Sequence, residues 1–185
     1  MIPLLSLWLP VVVAALIVFV VSSIIHMALG YHAGDWVGLP NEARFRDAFR
    51  NEEVPPGDYV VPYAPTAAER NSPAHIEKMK EGPVAFINVR PKGQVVMVAM
   101  LSQWFGYCLV VGFFAAYLGS RFFGPGADYM EVFRITGTVA FAGYGLALLQ
   151  NSIWYGRKWS STLKSVFDAL VFALLTGGVF GWLWP

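Results

Sequence analysis

Residues 10–29 read PVVVAALIVFVVSSIIHMAL, a stretch without a single charge. A helix needs about 20 predominantly apolar residues to cross the hydrocarbon core of a bilayer, so this stretch predicts a membrane-spanning helix. The uncharged segment runs from Met1 to Gly34, with Leu4–Leu9 as a lead-in. A secretion signal would have a basic start and a shorter apolar run, so we interpret the segment as a retained span.

Three further stretches predict three more spans. Charges are absent from Gly93 to Ser120 and from Ile135 to Gly156, and Asp168 is the sole charge after Lys164. The four predicted helices are Pro10–Leu29, about Val96–Ser120, about Glu131–Ser152 and Leu163–Trp182. The chain therefore divides into a first transmembrane helix in 1–30, an extramembrane segment in 31–94 and a three-helix transmembrane region in 95–185.

Composition agrees with an all-α membrane protein. Of the 185 residues, 56% are hydrophobic and 14% are charged, whereas roughly 25% are charged in an ordinary soluble domain. A net charge of +1 provides no basic field for nucleic acid. The single cysteine, Cys108, cannot build a disulfide framework within this chain. We therefore expect membrane lipids and other integral membrane subunits as partners, and no nucleic acid.

The distribution of Lys and Arg predicts the orientation. Cytoplasmic connections of membrane proteins carry an excess of these residues. Eleven lie in the first and third connections and two on the opposite side: Arg44, Arg46, Arg50, Arg70, Lys78, Lys80, Arg90, Lys92, Arg157, Lys158 and Lys164, against Arg121 and Arg134. The bias predicts that both termini are periplasmic or external and that residues 31–94 are cytoplasmic.

The cytoplasmic segment is loop-rich, with signals for two short helices. Pro40-Asn41-Glu42 opens one that ends near Arg50, and Phe45 and Phe49 share one of its faces. That face suits a membrane surface or a partner, or packing on its own loop. The second helix has Ser72 as N-cap, Pro73 as its first residue and Gly82 after its end. Val84–Val89 then predicts a strand, and an extended Tyr59–Val61 would make a short hairpin with it.

His26 is the histidine within a predicted span. An imidazole at this position could ligate haem iron or the magnesium of a bacteriochlorophyll. No other predicted span contains a histidine, which excludes bis-histidine haem within one chain. The alternative is an imidazole satisfied by a neighbouring helix, a headgroup or a carbonyl. His32 is a juxtamembrane neighbour.

Asp168 is the acid well inside a predicted span. A carboxylate within a membrane is by default a candidate for ion or proton handling. Lys164 lies one turn before it, and Arg157 and Lys158 lie nearby in sequence. These neighbours favour interfacial ion pairing as the alternative, since a transport route normally needs further polar groups along its length.

Small residues mark packing faces on the later helices. Ala169, Ala173, Gly177 and Gly181 recur at every fourth position and form a small-residue ridge. Gly112 and Ala116 give the second span a shorter version. Such ridges let helix backbones approach closely in a membrane, so they predict helix packing and assembly.

Motifs for enzymatic chemistry are missing from the sequence. It contains no phosphate-binding Gly-rich loop of the Walker type, no G-x-G-x-x-G, no H-E-x-x-H and no G-x-S-x-G. We therefore expect no enzymatic activity and no catalytic residue.

Four short stretches carry a resemblance to a known group of proteins. They are residues 22–27 (SSIIHM), 56–59 (PGDY), 81–86 (EGPVAF) and 151–159 (NSIWYGRKW). With these stretches the chain resembles a family of uncharacterised small bacterial four-span membrane proteins, which implies a bacterial inner membrane. In kind, but through no sequence motif, it also resembles the accessory polypeptides of bacterial photosynthetic reaction-centre and antenna complexes. The resemblance implies an inner-membrane architecture and no catalytic residue.

Three functions remain open from the sequence. The leading one is a non-catalytic structural or accessory subunit of a larger membrane complex, photosynthetic or respiratory, because the chain offers packing faces and no chemistry. It would need no cofactor. The second is a pigment or haem carrier that uses His26. The third is a small oligomeric transporter or proton-handling protein that uses Asp168.

Overall fold

The computed structural model describes residues 2–185, which form two compact units. The first contains residues 2–36 and 96–185, and the second is Val37–Val95. The helices are α1 (Trp8–Met27), α2 (Glu42–Asn51), α3 (Ala67–Arg70), α4 (Pro73–Glu81), α5 (Met97–Phe122), α6 (Tyr129–Tyr144), α7 (Leu149–Tyr155) and α8 (Trp159–Trp182), and the strands are β1 (Gly57–Val61) and β2 (Ala85–Val89). Short 3₁₀ helices at Leu4–Leu7 and Leu146–Leu148 precede α1 and α7.

Four helical segments of the first unit are long and apolar enough to cross a membrane. They are Leu4–Met27, Met97–Phe122, Tyr129–Tyr155 and Trp159–Trp182. The chain is 67% helical, which agrees with the all-α class predicted from the sequence. The last helix begins at Trp159, one turn before the predicted Leu163.

The third segment differs from the sequence prediction of one continuous helix. It consists of α6 and α7, joined by a 3₁₀ turn that follows Gly145. A Cβ atom at Gly145 would lie 3.0 Å from Cβ of Ala169 on α8. The interruption therefore coincides with a close approach to α8, which a larger residue at this position would obstruct.

The four segments form a closed arrangement in which each has two main neighbours. α1 packs on α5, α5 on α6, α6 on α8, and α8 returns to α1. One core cluster includes Ile25, Tyr144 and Phe172, and a second includes Leu7 and Phe180. The two clusters fill the interior of the bundle with apolar side chains.

The small-residue ridge of α8 lies against α6. A Cβ atom at Gly177 would lie 2.8 Å from the backbone oxygen of Phe133 and 3.2 Å from Cα of Gly137. At Gly181 it would lie 2.7 Å from the ring of Tyr129. Ala169 and Ala173 on the same ridge are buried. The ridge thus lets the two backbones come close within this chain.

The second packing face meets the first span. A Cβ atom at Gly112 on α5 would lie 3.3 Å from Cγ1 of Val11, and Ala116, one turn later, is fully buried. Gly112 and Ala116 therefore belong to the interior of the bundle.

The second unit consists of short capped helices and one hairpin. β1 and β2 pair antiparallel with Gly57 opposite Val89 and Val61 opposite Ala85. The side chains of Asn41 and Ser72 accept hydrogen bonds from the first turns of α2 and α4. The one-turn helix α3 is an element that the sequence analysis did not predict; its N-cap is Thr66.

Candidate functional site

Polar side chains meet at one end of the bundle, where α1 ends and α8 begins. We call this group the polar cluster; its members are His26, Tyr31, His32, Asp35, Lys164 and Asp168. α1 ends at Met27, and Gly30, with a φ of 64°, turns the chain. The turn continues through hydrogen bonds from Ala33 N to Gly30 O and from Asp35 N to His32 O. Residues 31–35 are thereby held against the first half of α8.

Asp168 is the buried centre of the polar cluster. Its side chain is only 4% exposed. The Tyr31 hydroxyl donates a hydrogen bond to Oδ1, and Oδ2 lies 2.8 Å from Nε2 of His32. Burial and the neighbouring Asp168 carboxylate raise the pKa of Tyr31 well above its usual range, so the phenol keeps the proton that it donates.

His32 stands between two carboxylates. Its Nδ1 lies 2.7 Å from Oδ2 of Asp35, while its Nε2 contacts Asp168. A hydrogen bond needs a hydrogen between each nitrogen and oxygen, but a neutral imidazole carries only one N–H. A neutral His32 can therefore donate a hydrogen bond to only one of the two carboxylates, and donation to both requires a ring with two N–H groups.

Lys164 anchors the other side of Asp35. Its Nζ lies 2.9 Å from Asp35 Oδ1 and 2.7 Å from the backbone oxygen of Tyr31. Hydrogen bonds from His32 and then from Lys164 hold the pKa of Asp35 well below its usual range. Asp35 is therefore ionised, and it ties the turn after α1 to α8.

His26 lies at the exposed edge of the polar cluster. Its ring stacks on that of His32, with centroids 4.8 Å apart and planes 3° from parallel. Its Nδ1 lies 2.9 Å from the backbone oxygen of Ser22. A carbonyl oxygen can only accept, so Nδ1 carries the hydrogen and Nε2 keeps its lone pair when the ring is neutral.

Three of these side chains have the composition of a metal-binding group. His26, His32 and Asp168 each offer one ligand atom, and these atoms lie within 4.8 Å of one another. Two imidazoles and a carboxylate are a common ligand set for divalent transition metals.

His26 and Asp168 were predicted separately from the sequence, and the structure brings them into one cluster. Tyr31 and Asp35 had no predicted role, and His32 was predicted only to lie next to the membrane. One sequence feature could have indicated these residues: three of the five positions after Gly30 have polar or titratable side chains, namely Tyr31, His32 and Asp35.

The ion pairing at Asp168 differs from the expectation. Lys164 pairs with Asp35, and Arg157 donates to Oγ of Ser165 at 3.3 Å. Within residues 2–185, Arg157 and Lys158 form no ion pair. The turn after α1 explains the difference, because it brings His32 and Tyr31 directly onto Asp168.

A separate groove belongs to the second unit. It has a volume of about 1090 Å³ and lies between α2 and the end of β2. Phe45 and Phe49, whose rings stack at 4.4 Å, line it together with Arg90 and Lys92. The aromatic face predicted for α2 therefore opens onto this groove.

No protein-family model matches the chain, no curated protein matches it, and no solved structure matches it. The resemblance to small bacterial four-span membrane proteins and to photosynthetic accessory polypeptides stays a prediction.

Proposed function

We propose that this chain is a four-span protein of the bacterial inner membrane, with both termini periplasmic and residues 31–94 cytoplasmic. Four apolar helices of sufficient length support the membrane location. The excess of Lys and Arg in the first and third connections supports the orientation. Alkaline phosphatase fused to the C-terminus should then be active. If it is inactive, and green fluorescent protein fused to the C-terminus fluoresces, the orientation is the reverse of the one proposed.

Within that membrane, the protein acts as a non-catalytic structural or accessory subunit of a larger complex. The observation that carries this proposal is the outer face of α5. In its most apolar 18-residue stretch only 17% of the residues are buried, against 44% in α8. Val110, Phe113 and Phe114 are all about half exposed. This face needs lipid or another apolar surface, and its aromatic side chains suit a partner helix.

The ridge of α8 does not serve this purpose, because α6 of the same chain occupies it. The small residues of that ridge were one of the sequence features that predicted assembly with other subunits. A partner subunit therefore meets a different face, and the α5 face is the least covered of the four.

A transporter or proton-handling role fits the polar side chains less well. Deeper in the bundle, the hydroxyls of Thr136 and Thr176 donate to carbonyls one turn earlier in their own helices. Within residues 2–185, every buried side-chain nitrogen or oxygen atom has a partner. The polar groups therefore hold one another and do not continue as a path along the bundle.

The decisive experiment is gentle purification from the native membrane, followed by native mass spectrometry. We expect a stoichiometric complex far above 20.4 kDa, and its loss in a variant that combines Val110→Ala, Phe113→Ala and Phe114→Ala. The matched control is Phe167→Ala with Leu174→Ala, which trims the exposed face of α8. A monomer in every mild detergent, or equal loss in the control, contradicts the proposal.

The same preparation tests the pigment or haem carrier. A Soret or near-infrared absorption band that disappears in His26→Leu would replace the structural proposal with a cofactor-binding one.

A further inference from the structure

We propose that His26, His32 and Asp168 bind a divalent transition-metal ion, and that the ion joins the end of α1 and the turn that follows it to α8. The proposal is independent of the larger complex proposed above. It rests on the chemistry of the three ligand side chains, on the hydrogen bonds that orient them, and on their separation.

Each ligand side chain has a hydrogen-bond partner in addition to the other two ligands. The Ser22 backbone oxygen accepts from Nδ1 of His26, and Asp35 accepts from Nδ1 of His32. The Tyr31 hydroxyl donates to Oδ1 of Asp168 and leaves Oδ2 for a ligand. Metal-bound histidines almost always donate their second ring N–H to a carboxylate or a backbone carbonyl, and ligating carboxylates are themselves hydrogen-bonded. All three outer contacts of a metal centre are therefore present.

Binding of the ion requires the three ligand side chains to rearrange. Ligand atoms of a tetrahedral zinc site, with bonds of about 2.0–2.1 Å, lie roughly 3.3 Å apart. His32 Nε2 and Asp168 Oδ2 are 2.8 Å apart and need to separate slightly, while the widest pair in the triad, at 4.8 Å, needs to close. An imidazole binds a metal ion in the plane of its ring, and the His26 and His32 rings are stacked and nearly parallel. The exposed His26 side chain therefore has to turn out of this stack as well as move closer.

The nearest cation does not compete for the ligand atoms. Lys164 directs its Nζ to Asp35 and to the backbone oxygen of Tyr31. It therefore holds the outer carboxylate that supports His32 and is not bonded to the three ligand side chains. The pairing also balances the charge of Asp35, so the ion is held by one carboxylate and two neutral imidazoles. A proton that lies between Nε2 of His32 and Oδ2 of Asp168 leaves to water when the ion takes its place.

The ligand set selects the class of ion. Imidazole nitrogen favours zinc and its first-row neighbours over magnesium or calcium, which prefer all-oxygen sites. Three protein ligands leave at least one coordination position for water.

The test uses the full chain in detergent with a purification tag that contains no histidine. Cobalt(II), a spectroscopic substitute for zinc, should bind at one ion per chain with visible ligand-field absorption, and Zn²⁺ should displace it. His26→Ala should weaken cobalt binding at least tenfold while far-UV circular dichroism and elution volume stay unchanged. Asp35→Ala, which removes the carboxylate that accepts from Nδ1 of His32, should weaken it about 10- to 100-fold.

His75 supplies the matched control, because it is the third histidine of the chain and lies on α4 of the second unit. His75→Ala should bind cobalt as the parent does. The proposal is overturned if the parent takes up no stoichiometric cobalt, if folded His26→Ala binds as tightly as the parent, or if His75→Ala loses as much affinity as His26→Ala.

Discussion

The two units of this protein hold their structure in opposite ways. In the helical unit, whole side chains such as Val18, Val132 and Phe180 are fully shielded, and helix backbones come into direct contact. In residues 37–95, by contrast, no residue is buried. The second unit depends on local hydrogen bonds, through helix caps and one five-residue strand pair.

This difference determines where a substitution has a large effect. A packed interior transmits any change of volume to its neighbours, because it has almost no empty space. A surface element held by caps loses only the contact that is removed. We therefore expect effects to decrease from the contact between α6 and α8, through the polar cluster, to the caps of the second unit.

The largest effect is expected for Gly177→Leu. Its first side-chain carbon alone would lie 2.8 Å from the backbone oxygen of Phe133 and 3.2 Å from Gly137 Cα. Backbone atoms cannot move aside as a flexible side chain can, so α6 and α8 must separate. We expect a loss of about 3 kcal/mol or more in stability, with normal membrane insertion, measured by unfolding in detergent.

Leu174→Ala is the control for this contact. Leu174 lies on the same helix, but its side chain is 50% exposed and off the ridge. If Leu174→Ala destabilised the bundle more than Gly177→Leu, the ridge would not be the packing face and the comparison of the two units would lose its basis.

The bundle could be predicted from the sequence because its signals are local. Long uncharged runs and the four-residue spacing of Ala169, Ala173, Gly177 and Gly181 are visible without any tertiary information. The partner of the ridge could not be found in this way, since nothing in the sequence of α8 says which helix covers it. The break after Gly145 was missed for the same reason, because it coincides with a contact to Ala169.

Asp168→Leu tests the polar cluster and should have the second largest effect. Leucine fills a similar volume but leaves the Tyr31 hydroxyl and Nε2 of His32 without their partner. A buried donor left unsatisfied costs about 1–3 kcal/mol, so we expect a loss of about 2 kcal/mol in stability. The measurement is the thermal midpoint in detergent with a chelator present, where the loss corresponds to a decrease of roughly 4–8 °C.

Two neighbouring variants make this result specific. Asp168→Asn keeps an oxygen that can accept from Tyr31, so its decrease should be smaller. Phe167→Leu alters the exposed side chain immediately before Asp168 on α8 and should hardly change the thermal midpoint. If the thermal midpoint decreased equally in Asp168→Leu and Phe167→Leu, loss of the polar cluster would not be the cause of the destabilisation, and the prediction would be wrong.

The candidate site was only half visible in the sequence. His26 and Asp168 could be named because a polar side chain within an apolar run is conspicuous. Their connection could not, because His32 and Tyr31 reach Asp168 across more than 130 positions. The turn at Gly30 brings them there, and a charge-based prediction instead paired Asp168 with Lys164, its neighbour on the same helix.

The smallest effect is expected in the second unit, for Ser72→Ala. The Ser72 side chain accepts from the backbone N–H of His75 at 3.2 Å and so satisfies one free donor at the start of α4. Loss of such a cap costs about 1 kcal/mol, which corresponds to roughly fivefold faster hydrogen exchange of the backbone amides that follow Pro73 in α4. The effect should stay within α4, because no buried neighbour transmits it, and the thermal midpoint of the bundle should not change.

Lys80→Ala is the matched control: its ion pair with Glu77 is 3.6 Å long and largely exposed, and such pairs contribute little. A change in the bundle's midpoint on Ser72→Ala, or exchange in Lys80→Ala as fast as in Ser72→Ala, would contradict the view that caps hold the second unit locally.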